Sequence, residues 1–69
     1  MFIEVAINIP ADRTFTYAVP AELRGEIDVG KRVLVPFGKR SLTGAVVGIR
    51  PSTDRQDARE ILRVLDLEP

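Results

Sequence analysis

Between residues 32 and 40 the chain reads RVLVPFGKR, which sets an aromatic ring beside a proline, a glycine and two cations. Proline interrupts the hydrogen-bond ladder of a strand, so Pro36 indicates that a buried strand ends here. A phenylalanine between Pro36 and Gly38 is held near exposed backbone, where its ring can stack on a planar ligand, while Lys39 and Arg40 supply positive charge for an anion. The stretch is therefore either one wall of a binding site or an ordinary strand end.

Most catalytic chemistry is excluded by the residue types that the chain lacks. It has no cysteine and no histidine, which removes disulfides, the usual zinc, haem and iron–sulfur ligand sets, and nucleophile–histidine triads. None of the ten carboxylates falls in a recognisable acid–base pair, and neither GxGxxG nor GxxxxGKS/T occurs. We therefore expect a binding domain that is not an enzyme and holds no cofactor or metal.

Length and composition predict one small soluble domain. Sixty-nine residues leave room for a single core, so we assign residues 1–69 to one domain. The apolar share of 45% is enough for that core. The first ten residues alternate instead of forming the apolar run of a signal peptide, and no segment has the length of a bilayer span. We expect a cytoplasmic protein without membrane contact.

Charge is balanced overall but unevenly distributed along the chain. Ten basic and ten acidic residues give a net charge of zero, which argues against a nonspecific nucleic-acid coat. Residues 31–50, however, contain five basic residues and no acidic one. These residues are expected to form a local positive surface, although chance clustering on a solvated hairpin explains the same pattern.

Four segments alternate apolar and polar residues with the period of a half-buried strand. They are residues 2–9, 14–19, 31–37 and 42–49. The polar, glycine-bearing residues 20–30 are predicted to form a loop ending in a turn. Gly44 and Gly48 in the fourth segment indicate a β-bulge or a strong bend.

The tail, residues 58–67, fits both a helix and a strand, because its apolar residues recur at both spacings. Pattern alone leaves that choice open. Four or five short strands with closely spaced turn signals nevertheless predict an all-β, single-domain fold. We expect a small, mostly antiparallel, barrel-like (OB-like) arrangement.

Besides Phe2 in the first segment, three aromatic residues lie in or at the end of these segments. Phe15 and Tyr17 occupy alternate positions of the second segment, where core packing is the favoured interpretation. Phe37 lies at the end of the third segment and is expected nearer the surface. Small barrels that bind single-stranded nucleic acid combine such rings with a basic groove, so nucleic-acid binding is one function that the pattern supports.

Four blocks along the chain carry a resemblance to a known family. They are VAINIPADRTFTYAVP, VGKRVLVPFGKR, GAVVGI and EILRVLDLEP, which together cover almost all 69 residues. In this order and spacing they resemble the N-terminal 3′-DNA-end-binding domain of the primosomal protein N′ (PriA) family of bacterial replication-restart helicases. The resemblance implies an all-β module, cut from the N-terminus of a longer helicase.

The resemblance also implies a function. The domain would recognise the 3′ end of the nascent leading strand at a stalled fork and orient the helicase for replication restart. Its partners would be DNA with a free 3′ end at a branched fork and the remaining domains of the same protein, with other primosome proteins and single-stranded DNA-binding protein as further candidates. ATP, Mg and Zn would belong only to the full-length protein.

Site residues follow from the same resemblance. The family's end-binding pocket corresponds here to Phe15, Thr16, Gly38 and Arg59, with Tyr17 beside them and with Lys39 and Arg40 placed to meet phosphates. Gly38 would let a terminal nucleotide approach the backbone. The resemblance also favours a strand in the tail, with Arg59 at its entrance.

One position departs from the family pattern. The residue after Phe15 is often aspartate in the family, and here it is Thr16. A threonine hydroxyl still accepts a hydrogen bond from a 3′-hydroxyl, but it lacks the charge that strengthens the bond and repels a 3′-phosphate. We therefore expect a preference for a free 3′-hydroxyl with weaker discrimination against a phosphorylated end.

A second function from another class stays open. A small SH3-like or OB-like barrel can mediate protein–protein interaction, with the basic residues contacting an acidic peptide. The isoelectric point of about 6.2 favours this alternative. Binding that depends on a DNA 3′ end would distinguish the two.

Overall fold

Five antiparallel strands form one sheet. The computed structural model describes residues 1–7, 9, 13–53 and 57–65. Its strands are β1 (Phe2–Ile7), β2 (Thr14–Ala18), β3 (Arg32–Phe37), β4 (Arg40–Arg50) and β5 (Arg63–Val64). They lie in the order β2-β1-β4-β3-β5, and every neighbouring pair is antiparallel. The prediction of a small, mostly antiparallel all-β domain is confirmed.

The core lies on one face of this sheet because the apolar residues recur at every second position. Successive side chains of a strand point to opposite faces, so one face collects the β-branched residues. Ile3, Val5, Val33, Val35 and Val46 are almost completely buried there. Removing each such side chain from water contributes about 1.5–3 kcal/mol, and these residues form the centre of the core.

The sheet is not closed into a full barrel, so the fold is barrel-like only loosely. One isolated parallel bridge joins Ala18, at the end of β2, to Glu60, which precedes β5. The Ala18 amide donates to the Arg59 carbonyl at 2.8 Å, and the Ile61 amide donates to the Ala18 carbonyl at 3.1 Å. These bonds bring the two edges of the sheet together and set Arg59 beside β2.

Residues 20–30 are not the plain loop that the sequence predicts. A 3₁₀ helix spans Ala21–Glu26, and the Leu23 amide donates to the Pro20 carbonyl at 2.9 Å. Leu23 and Ile27 pack against the core. The contact of these two residues with the core overrides the polar composition of the segment.

Strand ends also differ from the pattern by a few residues. β1 ends at Ile7 and β2 at Ala18, earlier than predicted, whereas β4 is longer and covers eleven residues. Within residues 58–65 the tail has no helix; the strand interpretation is confirmed for Arg63–Val64, and Glu60 forms an isolated bridge, while residues 66 and 67 lie outside the described residues. In the described part of the chain no helix has the length and hydropathy of a membrane span.

Each of the two glycines of β4 lies at an irregular or closely packed position of the strand. The β1–β4 register shifts between Glu4, which pairs with Gly48, and Val5, which pairs with Val46. Val47 is therefore the extra residue of a β-bulge, as the sequence predicted for this strand. Gly44 allows a close approach, because a Cβ there would overlap Val5 Cγ1 and lie 2.9 Å from the Ala6 carbonyl oxygen.

Replacing Gly44 with alanine should therefore destabilise the domain by about 1–3 kcal/mol, since the added methyl group must displace both a core side chain and a backbone atom. Urea denaturation measures the effect as a lower midpoint. Gly25→Ala is the matched control, because nothing lies within 4 Å of a Cβ at that position. Equal midpoints for the two variants would show that β1 and β4 are not packed as closely as described.

Candidate nucleic-acid interface

A cavity of about 220 Å³ lies where β2, the end of β3 with its turn, and the segment before β5 meet. Its lining comes from three stretches of the chain: Arg13, Phe15, Thr16, Tyr17, Pro36, Phe37, Gly38, Asp57, Ala58 and Arg59. Five of the seven predicted site residues are among them. Lys39 and Arg40 do not line the cavity and are exposed at the neighbouring turn.

Two phenylalanine rings form an aromatic surface in the cavity. Phe15 and Phe37 are half-buried, with ring centroids 5.2 Å apart and planes at 81°. This edge-to-face geometry is a preferred arrangement of aromatic pairs and holds each ring in one orientation. Both rings pack against the core. The core-packing interpretation of Phe15 thus describes only part of that ring, which also faces the cavity.

Each of the three stretches that line the cavity forms one wall: β2, the end of β3 with its turn, and the segment before β5. Tyr17 connects the first two walls, which the sheet itself does not connect. Its side chain is buried, and its hydroxyl donates a hydrogen bond to the Pro36 carbonyl at 2.8 Å. β2 and β3 are separated in the sheet by β1 and β4, so no ladder bond joins them. Burial raises the pKa of Tyr17, and the positive charge of Arg59 partly offsets this rise.

The turn after β3 requires glycine at position 38. Phe37 pairs with Arg40, which leaves Gly38 and Lys39 as a two-residue hairpin loop. Gly38 has a φ of 62°, and among the described residues only glycines have positive φ. This pattern is that of a type II′ turn, which favours glycine at its first central position. Conformation alone thus explains Gly38, without reference to a ligand.

Arg59 connects this turn to the third wall. Its Nη1 donates to the Gly38 carbonyl oxygen at 3.2 Å. The guanidinium has five N–H donors in all, so most of them stay available for a ligand. Because the Ala18–Glu60 bridge holds the backbone of this segment, Arg59 reaches the turn from a fixed position.

Thr16 is placed differently from its neighbours. Strand alternation sets its side chain on the face opposite to Phe15 and Tyr17. There the Thr16 hydroxyl donates to Glu4 Oε2 at 2.8 Å, and the same carboxylate accepts from Thr14 and pairs with Arg50 Nε at 3.3 Å. The hydroxyl of Thr16 is used as a donor, while its lone pairs can still accept.

Two charged residues of the cavity, Arg13 and Asp57, are not among the predicted site residues. The central guanidinium carbon of Arg13 lies 5.3 Å from the centroid of the Phe15 ring, which is cation–π geometry. A signal for Arg13 was present, because it precedes Phe15 by two positions and so shares its face of the chain. Asp57 follows a stretch without periodicity and carried no such signal.

The positive surface expected over residues 31–50 is not formed as one patch. Arg32 lies at the start of β3, and Lys39 follows the end of the same strand, about 20 Å away at strand spacing. Arg50, at the far end of β4, is paired with Glu4. The length of β3 separates the open end of this hairpin from its turn, so clustering in the sequence does not produce clustering on the surface.

Small β domains that bind nucleic acid combine stacking rings with cationic groups, and this cavity contains both kinds of group. Aromatic rings, guanidinium groups and exposed turn backbone meet in one place. Within residues 1–7, 9, 13–53 and 57–65, no group of three or more acidic side chains could hold a metal ion.

Comparison with known proteins identifies the family. A family model described as 3′DNA-binding domain (3′BD), of PriA, matches residues 4–69. The chain therefore belongs to the PriA 3′ DNA-binding domain family. By this membership it is a DNA-binding domain.

Relatives agree with this assignment. The chain is 37% identical over 73 residues to the replication restart protein PriA of Bacillus subtilis (strain 168), covering 99% of the chain and 9% of the relative. It is 38% identical to PriA of Treponema pallidum (strain Nichols), covering 97% of the chain and 11% of the relative. PriA of Haemophilus influenzae is 35% identical over 97% of the chain. The chain thus spans about a tenth of the length of these relatives.

The raised pKa of Tyr17 predicts a pH effect on stability. Folded protein holds the phenol proton more tightly than the unfolded chain, whose pKa is about 10. The contribution of Tyr17 to the free energy of unfolding is therefore fully present below pH 10, and it is lost as the pH rises towards the pKa of the folded protein. Tyr17 is the only tyrosine and the chain has no tryptophan, so tyrosinate absorbance in native and urea-unfolded protein measures both pKa values.

Tyr17→Phe is the comparison variant. It should lower the free energy of unfolding by about 1–2 kcal/mol at neutral pH, because the Pro36 carbonyl loses its partner. It should also lack the extra loss of stability above pH 10. Identical titration midpoints in native and unfolded protein would contradict the buried environment of the hydroxyl.

Proposed function

We propose that this domain recognises the 3′-terminal nucleotide of a DNA strand in the cavity between β2, the Gly38 turn and the segment before β5. The observation that carries the proposal is the meeting of Phe15, Gly38 and Arg59 in one cavity, although more than twenty residues separate each from the next. The family supports DNA binding. The volume of the cavity supports the finer part of the proposal, because it is large enough for the sugar or base of a terminal nucleotide.

The volume of the cavity favours binding of the end of a strand over binding of a duplex. About 220 Å³ is less than the roughly 300–1,000 Å³ of typical small-molecule pockets. Such a space admits the terminal sugar or base of a strand and leaves the following nucleotides outside. Recognition then depends on the end of the strand and little on base identity, because every base presents a face for stacking.

Each residue has a role in this proposal. The half-buried Phe15 ring stacks on the terminal base or sugar, and the Gly38 turn presents backbone to the sugar hydroxyl. Arg59, already oriented by its bond to the turn, contacts a phosphate. Lys39 and Arg40, which are exposed beside the cavity, meet phosphates further along the strand. With few phosphates engaged, affinity is modest and falls only gently with salt.

In the longer protein, the domain orients the attached helicase at a stalled fork by holding the 3′ end of the nascent leading strand. The remaining domains, and with them ATP, Mg and Zn, act outside this chain. Other primosome proteins and single-stranded DNA-binding protein are partners of the whole assembly, in the cytoplasm. This part of the proposal is supported by the family and by the small share of the relatives' length that the chain spans.

End-dependent binding is the first test. Fluorescence anisotropy with a fork bearing a free 3′ end should give tighter binding than circular single-stranded DNA. Phe15→Leu keeps an apolar side chain but loses the ring, so it should weaken binding to the fork about tenfold or more, since stacking contributes about 1–3 kcal/mol per base.

Phe2→Leu is the matched control, because Phe2 is a half-buried aromatic residue that does not line the cavity. It should leave the affinity within about twofold, a free-energy difference well below the tenfold step of about 1.4 kcal/mol. Equal affinity for ends and circles would contradict the proposal. Binding of an acidic peptide but not of DNA would favour the protein–protein alternative.

Thr16 generates a second test. Thr16→Asp should increase the preference for a 3′-hydroxyl over a 3′-phosphate only modestly relative to the unmodified chain, because a carboxylate repels the phosphate but the side chain at this position lies on the face of β2 opposite to Phe15. The new carboxylate would lie opposite Glu4, so like-charge repulsion is expected to lower stability as well.

Two further variants separate these effects. Thr16→Asn has a similar shape without the charge, and Thr16→Asp combined with Glu4→Gln removes the repulsion. Selectivity is measured as the affinity ratio for matched oligonucleotides ending in 3′-hydroxyl or 3′-phosphate. If neither Thr16→Asp nor its combination with Glu4→Gln changes this affinity ratio, a charge at position 16 does not act on the end of the strand.

A further inference from the structure

Arg13 is a cation of the cavity to which neither the sequence resemblance nor the conformation of the turn assigns a role. It lines the cavity and is exposed, and its guanidinium lies over the Phe15 ring at 5.3 Å. Within the described residues it has no hydrogen bond or ion pair. Its charged group is therefore held near the cavity, and none of the described residues accepts a hydrogen bond from its N–H donors.

The contact with the ring prepares this group for an anion. A guanidinium over an aromatic face is attracted by the negative charge of the π system, which restricts an otherwise flexible side chain. Its five N–H donors form a planar fork that fits phosphate oxygens in pairs. Less side-chain entropy is then lost when an anion binds, which favours binding.

The charges of the other walls indicate where a phosphate is best accommodated. The segment before β5 contributes one cation and one anion to the cavity, Arg59 and Asp57, so its charges cancel. The described residues that lead into β2 and form its first part contribute Arg13 to the cavity and no carboxylate. A phosphate is therefore attracted more strongly to the side of the cavity that Arg13 occupies.

We propose that Arg13 binds the phosphodiester that joins the terminal nucleotide to the rest of the strand. This inference rests on the proposed function, because it requires the terminal nucleotide to occupy the cavity against Phe15. The strand then leaves the cavity past the ring and meets the guanidinium above it. Arg13 and Phe15 act together, the ring holding both the nucleotide and the cation that binds its phosphate.

The test pairs a change in the protein with a change in the DNA. One fork carries a normal last phosphodiester at its 3′ end, and a second carries an uncharged methylphosphonate at that linkage. Wild-type chain should bind the methylphosphonate fork about fivefold more weakly, as expected for one exposed charge contact. Arg13→Ala should bind the normal fork about fivefold more weakly and should show almost no further loss with the methylphosphonate.

Comparing the two forks with the same variant removes any general effect of the substitution on folding. Arg24→Ala is the control, because Arg24 is an exposed arginine of the 3₁₀ helix that does not line the cavity, and it should keep the full methylphosphonate penalty. Arg13→Lys keeps the charge and should restore part of that penalty. The slope of affinity against salt should fall by about 0.7 in Arg13→Ala, as for one phosphate contact on a single strand.

The outcomes separate this inference from the function beneath it. A full methylphosphonate penalty in Arg13→Ala, or tighter binding of the normal fork by that variant, overturns the role of Arg13 while end-dependent binding stands. End-dependent binding by the wild type with no penalty at all also overturns it. Loss of end dependence in the wild type overturns the proposed function and this inference with it.

Discussion

The buried hydrogen bond from the Tyr17 hydroxyl to the Pro36 carbonyl holds the candidate site together. It spans two strands that have no ladder bonds with each other, because β1 and β4 lie between them. Breaking it would leave a buried carbonyl unsatisfied at a cost of about 1–3 kcal/mol, so the spacing of the walls is maintained without a ligand. Arg59 extends the same constraint to the third wall through the Gly38 carbonyl.

A second constraint is the distribution of charge in a neutral chain. Net charge describes the field far from a protein, whereas binding at a small cavity depends on the few groups that line it. Here Arg13 and Arg59 lie at the cavity with Asp57, while Arg50 is paired with Glu4 on the other side of the sheet. An isoelectric point near 6.2 is therefore compatible with an anionic ligand.

Particular residues show how far sequence patterns reach. Alternation located the buried faces of β1 and β3. The glycines of β4 indicated a bulge, and the register shift next to Gly48 shows where it lies. The 3₁₀ helix was missed because residues 20–30 are largely polar, and the contact of Leu23 and Ile27 with the core is a property of the folded chain. The resemblance supplied Phe15 and Arg59 as site residues, whereas Asp57 had no signal of either kind.

By itself, the sequence determined the all-β class, the inward face of most strands and the family, because side-chain alternation and local motifs belong to short stretches of chain. Only the tertiary structure decided which distant stretches meet. The order of the strands and the Ala18–Glu60 bridge bring Arg13, Phe37 and Arg59 to one cavity, and the hairpin separates Arg32 from Lys39. Such meetings depend on how the whole sheet curls around its core, which no local pattern encodes.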